Sequence, residues 1–198
     1  MDFDKLKIAE SYVQGRKLNP AAVQVWKAVI LKYVEPASIH RILDLGCGTG
    51  RFLPFLKELF PTSKITGIDP SKEMLAEARK AFIEPSIELI QGAAENLPLD
   101  ESSVDLVFMC MTYHALENEQ KAVSEIKRVL TADGYVVIKQ VVKEANRKHS
   151  FFDFFPEALP IAQNIVPSRQ SIIDAFTNKD FVLIHNELIA YERAKKLE

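Results

Sequence analysis

Three alternating glycines form the clearest candidate site for chemistry, within the segment Asp44-Leu45-Gly46-Cys47-Gly48-Thr49-Gly50. A predicted strand precedes this segment and a predicted helix follows it, so the backbone must turn sharply here, which glycine permits. Bare main chain lets a ligand approach closely, and main-chain N–H groups at the start of a helix favour negative charge. The segment therefore predicts a binding site for a nucleotide-type cofactor.

The spacing of these glycines disfavours two common nucleotide sites. The dinucleotide fingerprint GxGxxG requires a third glycine, but Arg51 and Leu53 stand at the two positions where it would fall. No Gly-Lys-Ser/Thr follows the loop, so a phosphate-binding P-loop is absent as well. A nicotinamide oxidoreductase therefore remains only as an analogy at the level of the fold.

Asp69 ends the next predicted strand, roughly twenty residues beyond the glycine loop. An acid at this position can accept hydrogen bonds from both hydroxyls of a ribose. An aspartate near the first turn of a helix is also favourable on electrostatic grounds alone. In combination with the glycine loop, ribose binding is the interpretation we favour for Asp69.

His114, which follows Tyr113, stands just after the fourth predicted strand, where an open α/β sheet places its reactive groups. Its imidazole is a candidate general base, because histidine titrates near neutral pH. A histidine that starts a loop is more often a structural hydrogen-bonding group, and both roles are kept here. Cys47 is a weaker candidate as a nucleophile, since nothing nearby in the sequence supplies a base.

Short β-rich runs alternate with helical patterns along the chain, which is typical of a parallel sheet. The predicted strands are Arg41–Leu45, Lys64–Asp69, Ile87–Gln91, Val104–Cys110, 135–140 and a final strand at 181–189. The predicted helices cover 20–35, 52–60, 72–82, 119–130 and 169–176. Right-handed crossovers then give an α/β fold, with a doubly wound, Rossmann-like, mostly parallel sheet and helices on both faces.

The 198 residues have the length of one α/β domain. Residues 1–36 are expected to form an N-terminal helical cap, and residues 141–167 interrupt the alternation of strands and helices as an insertion or lid. Four phenylalanines cluster in that insertion, Phe151, Phe152, Phe154 and Phe155. They are expected either to roof a substrate site over the ends of the fourth and fifth strands or only to anchor the insertion.

Composition favours small molecules as partners. The formal net charge of −2 and the pI near 6.1 disfavour a basic face for nucleic acid. No signal-peptide pattern and no apolar run of membrane-spanning length is present, which predicts a cytoplasmic protein without membrane contact. We expect a monomer or a weak homodimer. Cys47 and Cys110 lie far apart with no CxxC, so neither a zinc site nor a disulfide is expected.

Five segments together resemble the class I S-adenosylmethionine (SAM) dependent methyltransferases, in particular the methyltransferase type 11 group. They are ILDLGCGTG (Ile42 to Gly50), GIDPS (Gly67 to Ser71), GAAENLPL (Gly92 to Leu99), SVDLVFMC (Ser103 to Cys110) and EIKRVLTADGYVVI (Glu125 to Ile138). Their order and spacing make the match specific. The resemblance implies transfer of a methyl group from SAM to a small-molecule acceptor.

The resemblance also implies where SAM would lie. Asp44, Gly46, Cys47 and Gly48 belong to the loop that holds its methionine part, and Asp69 lies at its ribose. The other residues implied at SAM are Pro70 after that acid, Met74 and Leu97 near the adenine, Ala93, Ala94 and Glu95 at the adenine edge, and Cys110, Met111 and Thr112 at the amino group. Met74 is an equally good core residue.

Tyr12 and Arg16 resemble the N-terminal segment that closes over SAM in this family. An aromatic face suits a sulfonium cation, and a guanidinium group suits the methionine carboxylate in a bidentate pair. A packing role for Tyr12 and a solvated charge at Arg16 are the alternatives.

Two features depart from the family pattern. Ala93 stands where an acid usually binds the adenine amino group, and Glu95 or a backbone group is expected to replace that contact. The tail after residue 189 is too short and too polar for another strand, so the sheet is expected to lack its last antiparallel strand. A SAM-binding protein without catalysis therefore remains the second hypothesis. No acidic trio is present, and no metal is expected.

Overall fold

The computed structural model describes residues 18–146 and 165–187 of the chain. Two parts of the predicted site lie outside the described residues: the pair Tyr12 and Arg16, and the phenylalanine cluster at 151–155. Their roles stay predictions. Within the described ranges, no helix combines the length and the apolar character needed to cross a lipid bilayer.

Five parallel strands form one sheet in the described part of the chain. They are β1 Arg41–Leu45, β2 Lys64–Asp69, β3 Ile87–Gln91, β4 Val104–Cys110 and β5 Leu130–Lys139. Their order across the sheet is β3-β2-β1-β4-β5. The chain thus builds outward from β1 in one direction and then in the other, as the doubly wound prediction requires. Ligands of such sheets bind where the strand order reverses, which is between β1 and β4.

Helices connect the strands, and the predicted helices are confirmed with small shifts at their ends. They are α1 Pro20–Tyr33, α2 Leu53–Leu59, α3 Lys72–Ala81, α4 Glu119–Val129, α5 Lys143–Asn146 and α6 Arg169–Thr177. Four of them begin after a polar residue whose side chain accepts a hydrogen bond from the first turn: Asn19, Ser71, Asn118 and Ser168.

Alternate residues of the central strands enter two hydrophobic cores, one on each face of the sheet. From β4, Leu106 and Phe108 join the core beneath α1 and α2, whereas Val107 and Met109 join the core beneath α4 and α6. This alternation follows from the period of two along a strand, with both faces covered. The sheet is therefore rigid where its strand ends carry the candidate site.

The start of β5 differs from the prediction. The strand begins at Leu130, five positions before the predicted Tyr135, and pairs there with Val104 of β4. Pairing resumes only at Tyr135 with Leu106, so residues 131–134 lie opposite Asp105 alone. The expected Asp133-Gly134 turn therefore does not separate two elements. It forms an irregularity in the pairing of β4 with β5, and the strand continues beyond it.

The predicted final strand at 181–189 is wrong over its described residues, since 181–187 form no strand. Asp180 has a φ of +61°, and the turn it makes after α6 brings the Phe181 N–H to the Phe176 oxygen at 3.3 Å. The two rings then pack with centroids 5.2 Å apart. This local packing outweighs strand pairing.

The outer edge of β5 lines a groove. Its volume is about 680 Å³, and α1, β5, α6 and the segment 181–187 line it. Within the described residues no strand pairs with this edge, and the sheet contains no antiparallel strand. The groove shares no lining residue with the glycine loop, so it lies apart from the predicted cofactor site.

Candidate cofactor site

The glycine loop between β1 and α2 adopts backbone conformations that favour glycine. Gly46, Gly48 and Gly50 have φ values of +72°, +55° and +75°. A Cβ atom at Gly46 would lie 2.3 Å from the Thr112 side chain, whereas a Cβ atom at Gly48 would meet no atom within 4 Å. Gly46 therefore permits the loop to approach the end of β4, and Gly48 borders open space.

The main-chain N–H groups of this loop are largely used within the protein. Gly46 and Cys47 both donate to the Ile68 oxygen, at 2.7 and 3.1 Å. The Gly48 N–H donates to Asp69 Oδ2 at 2.9 Å. The expectation that these N–H groups bind a negatively charged ligand is therefore wrong. The loop instead forms a surface without side chains at Gly48, and its hydrogen bonds to β2 hold its conformation.

Asp69 lies at the end of β2, as predicted, and it is buried. Its Oδ1 accepts the N–H of Ser71 at 2.9 Å, and its Oδ2 accepts that of Gly48. A carboxylate accepts hydrogen bonds through both of its oxygens. Asp69 therefore ties the glycine loop to the start of α3 and is suited to accept hydroxyl groups as well.

Asp44 is a buried acid in β1, the strand that leads into the loop. Its side chain is 2% exposed, and its Oδ2 atom has no hydrogen-bond partner. Burial raises the pKa of this carboxyl group to about 7, and the Asp69 carboxylate contributes to the rise. A buried polar atom without a partner costs ~1–3 kcal/mol. A hydrogen-bond donor or a cation on a bound ligand would satisfy this oxygen.

The two cysteines of the site region are protonated thiols at neutral pH. Burial raises the pKa of Cys110 to about 11. Burial also raises the pKa of Cys47, and the nearby carboxylates of Asp44 and Asp69 raise it further. Because the thiolate is the nucleophilic form, neither side chain is poised for attack. The described residues also contain no group of metal-ligating side chains.

The end of β4 carries backbone strain beside the loop. Met111 has a φ of +60°, and its N–H donates to the Lys139 oxygen of β5 at 2.9 Å. Thr112 Oγ1 lies 3.4 Å from the Gly46 oxygen. A non-glycine residue in this conformation costs on the order of 1–3 kcal/mol and often marks a functional site. Thr112 is thus the residue at the end of β4 that contacts the loop, and the predicted roles of Cys110 and Met111 at SAM stay predictions.

His114 stands on the short 3-10 turn Tyr113–Ala115 after β4 and pairs with Gln140, the residue after β5. Gln140 Nε2 lies 3.2 Å from His114 Nδ1 and 3.1 Å from the Val141 oxygen. No sequence pattern singled out Gln140. Only the pairing of β4 with β5 brings these two side chains together.

Glu95, expected as a replacement for the missing acid at Ala93, accepts hydrogen bonds from the start of α4. Its Oε1 accepts the N–H groups of Glu117 and Asn118, at 2.9 and 3.1 Å. These bonds hold the start of α4 against the loop after β3. Ala93 itself is exposed and offers no polar side chain. The adenine contact from Glu95 stays a prediction.

The other residues predicted at the adenine are mostly buried. Met74, Ala94 and Leu97 are 3%, 8% and 4% exposed, and Ala94 and Leu97 belong to the core beneath α4. The burial of Met74 agrees with the core role that the sequence left open. Pro70 is exposed, and its oxygen accepts a hydrogen bond from the Gln91 side chain at 2.9 Å.

A charge pair on α4, which the sequence reasoning missed, holds the loop that carries these residues. Arg128 donates to the main-chain oxygens of Leu97 and Leu99, at 3.0 and 2.8 Å. Glu125 accepts the Leu97 N–H at 2.8 Å and pairs with Arg128. The signal was available, since opposite charges three positions apart share one helix face.

Comparison with known proteins decides the family. A family model described as a methyltransferase domain matches residues 43–138. A ubiquinone/menaquinone biosynthesis C-methyltransferase of Campylobacter jejuni is 34% identical over an alignment of 180 residues that covers 84% of this chain and 72% of that protein. This chain belongs to the SAM-dependent methyltransferases. SAM is accordingly its methyl donor, and a small molecule is its acceptor.

Solved structures show the methyltransferase fold at lower sequence identity. A SAM-dependent methyltransferase from Aquifex aeolicus has a TM-score of 0.59 and 22% identity, covering 82% of this chain and 88% of that one. A protein from an antibiotic biosynthesis pathway of Anabaena variabilis has a TM-score of 0.68 and 24% identity, covering 82% of this chain and 62% of its own. This likeness supports the Rossmann-like fold.

The residues of this methyltransferase fit SAM on three observations. Gly48 borders open space, Asp44 has a buried carboxyl oxygen without a partner, and Asp69 places a buried carboxyl group at the end of β2. SAM, when bound, supplies a methyl group on a positively charged sulfur. A cation bound nearby favours the ionised form of Asp44, so binding of the sulfonium and ionisation of this buried acid support each other.

Proposed function

We propose that this methyltransferase transfers the methyl group of SAM to a ring carbon of a hydroxylated aromatic acceptor of the quinol type. The acceptor class is supported by the Campylobacter jejuni relative, whose name describes a C-methyltransferase of quinone biosynthesis. The binding of SAM, the second part of the proposal, is supported above all by the unpartnered buried oxygen of Asp44, in the strand that leads into the glycine loop.

The proposed binding roles follow the elements that carry each residue. Asp69 accepts the ribose hydroxyls, Gly46, Cys47 and Gly48 form the surface beneath the methionine part, and Asp44 accepts its ammonium group. The remaining proposed contacts are Pro70, Met74, Ala93, Ala94, Glu95, Cys110 and Met111 along the strand ends, with Tyr12 and Arg16 from the N-terminal segment.

The chemistry asks mainly for alignment. The acceptor carbon forms a bond to the methyl carbon while the bond from methyl to sulfur breaks, leaving its electron pair on sulfur. The ring C–H proton then passes to solvent water, and the aromatic ring is restored. Alignment of two bound reactants supplies most of the acceleration in such a displacement, and a strong base is needed only when the acceptor must first lose a proton.

Product analysis with a labelled methyl donor tests this proposal. The full chain is incubated anaerobically with SAM carrying a trideuterated methyl group and with 1,4-naphthohydroquinone as the probe. We expect one deuterated methyl group on the ring carbon next to a hydroxyl, with an equal amount of S-adenosylhomocysteine. Methyl ethers would contradict the ring-carbon assignment. Bound SAM without any product would instead support the hypothesis of a SAM-binding protein.

A matched pair of variants keeps this test specific to the site. Asp44→Asn removes a buried acid at the loop, whereas Asp105→Asn removes an acid that pairs with Arg41 at the opposite end of the strands. Loss of product with the first variant and retention with the second is the expected result. Equal loss with both would indicate a general effect on the fold.

A further inference from the structure

The side chain of Gln140 has one orientation that satisfies its neighbours. Its Nε2 atom lies close to the Val141 oxygen and to His114 Nδ1, at 3.1 and 3.2 Å. Its Oε1 atom lies 3.4 Å from the same Nδ1. Turning the amide over would place Oε1 against the Val141 oxygen, two acceptors with no proton between them. Gln140 therefore donates one N–H to Val141, and of its two atoms within reach of His114 Nδ1, the donor Nε2 is the nearer.

Donation along the shorter of these two contacts, from Gln140 Nε2 to His114 Nδ1, corresponds to one tautomer of His114. A ring nitrogen that accepts a hydrogen bond carries no proton, so the neutral imidazole holds its proton on Nε2. No described residue forms a hydrogen bond with Nε2. The ring is half-buried at the carboxyl edge of the sheet, two residues after Thr112, which contacts the glycine loop. In this tautomer, His114 thus presents an N–H donor near the cofactor site that no residue of 18–146 or 165–187 accepts.

We propose that Gln140 holds His114 as a hydrogen-bond donor, and that Nε2–H of His114 binds an oxygen atom of the methyl acceptor. This inference rests on the proposed function, because a quinol-type acceptor carries such oxygen atoms beside the carbon that is methylated. In this arrangement His114 is no general base, since Nε2 already carries a proton and Gln140 occupies Nδ1. His114 binds the acceptor, and Gln140 is a positioning residue.

Nitrogen NMR tests the tautomer without any turnover. Long-range ¹H–¹⁵N spectra of the labelled full chain, saturated with S-adenosylhomocysteine, resolve its four histidines, and His114→Gln assigns the signal. We expect the pattern of a ring protonated at Nε2 alone. Gln140→Glu, whose carboxylate only accepts, should move the proton to Nδ1 or give a doubly protonated ring. An Nδ1-protonated ring in the wild-type chain would overturn the proposal.

The same spectra test the contact with the acceptor. Addition of 1,4-naphthohydroquinone to the complex with S-adenosylhomocysteine, which cannot react, should shift the Nε2–H signal of His114. Saturation of the protein without such a shift would overturn this contact. If the probe does not bind at all, the proposed function fails for this acceptor, while the tautomer result still stands.

Two substitutions at His114 separate a donor from a base in kinetics. Glutamine places an amide N–H near the position of Nε2, whereas asparagine places it near Nδ1. His114→Asn should raise the KM for the naphthohydroquinone about 10-fold, and His114→Gln should restore most of that loss, with kcat and its pH profile little changed in both. A loss of kcat beyond about 100-fold in both variants would indicate a base.

Discussion

Asp44 differs from a free aspartate because burial keeps its carboxyl group protonated almost to neutral pH. Its pKa is about 7, above the ordinary 3.8. Between these values the native chain holds a proton that the unfolded chain has released, so the free energy of unfolding falls as pH rises. Asp44→Asn removes this dependence. Without SAM, the stability of the variant relative to wild type should rise by up to ~4 kcal/mol between about pH 4 and about pH 8, measured by urea unfolding.

Asp105 provides the control, because its pKa is shifted in the opposite direction. Burial tends to raise this pKa, but hydrogen bonds from the Arg41 side chain and from the N–H groups of His40 and Arg41 lower it overall. A lowered pKa gives stability that is lost as pH falls, so the deficit of Asp105→Asn should shrink in acid. Identical pH profiles for the two variants would contradict the account of Asp44.

Gly48 and Gly46 form a second informative pair. A Cβ at Gly46 meets Thr112 at 2.3 Å, so Gly46→Ala should lower the free energy of unfolding by ~2 kcal/mol or more. Gly48→Ala meets no atom and should cost only ~1 kcal/mol for its positive φ. Its methyl group would occupy the space assigned to SAM, so SAM affinity should fall about 10-fold or more in calorimetric titration. Unchanged affinity would show that SAM does not contact Gly48.

Single residues were predictable from the sequence where one local pattern decides their place. The glycine loop and Asp69 are joined by a strand end and a fixed spacing, so both were found. Gln140 has no such pattern, because its partner His114 lies on another strand and the two meet only through the pairing of β4 with β5. The loop N–H groups were misjudged for a related reason, since their acceptors belong to β2.

At the scale of elements, Arg128 of α4 holds the loop after β3, which carries the proposed adenine contacts. Arg128→Met keeps an unbranched apolar stem but removes the guanidinium group that bonds Leu97 and Leu99, leaving main-chain oxygens unpaired. We expect a loss of ~1–3 kcal/mol in stability and several-fold weaker SAM binding. Lys121→Met, on the same helix, is the control for charge and should change neither quantity. A variant of Arg128 with full SAM affinity would exclude this support role.

The bounds of β1 to β4 agree with the sequence because each strand is a short apolar run with clear breakers. The predictions for the start of β5 and for the segment 181–187 were wrong because strand formation there depends on the pairing partner. Residues 131–134 remain within β5 although they carry a turn signal, since β4 pairs on both sides of them. The segment that begins at Phe181 has the composition of a strand, but Phe181 bonds and packs against Phe176 of the preceding helix instead. A local pattern carries no information about either partner.

At the scale of the whole molecule, the strands of the sheet differ in how well their amide groups are protected from hydrogen exchange. β4 lies between β1 and β5 with both edges paired, whereas within the described residues no strand pairs with the outer edge of β5. Hydrogen exchange should therefore be slowest in peptides covering Val104–Cys110 and clearly faster in those covering 135–139. Mass spectrometry of exchanged, digested protein measures both. Equal protection would mean that a further strand or a second chain covers this edge.

The central claim is that this chain binds SAM at the switch point of its sheet, between β1 and β4. Calorimetric titration of the full chain with SAM tests it most directly, with NADH titrated in parallel and Asp105→Asn as the control variant. The account predicts one site with a dissociation constant in the low micromolar range or tighter, roughly 7–9 kcal/mol, the same affinity in the control variant, and no heat with NADH. No heat with SAM, or binding of NADH instead, would contradict it.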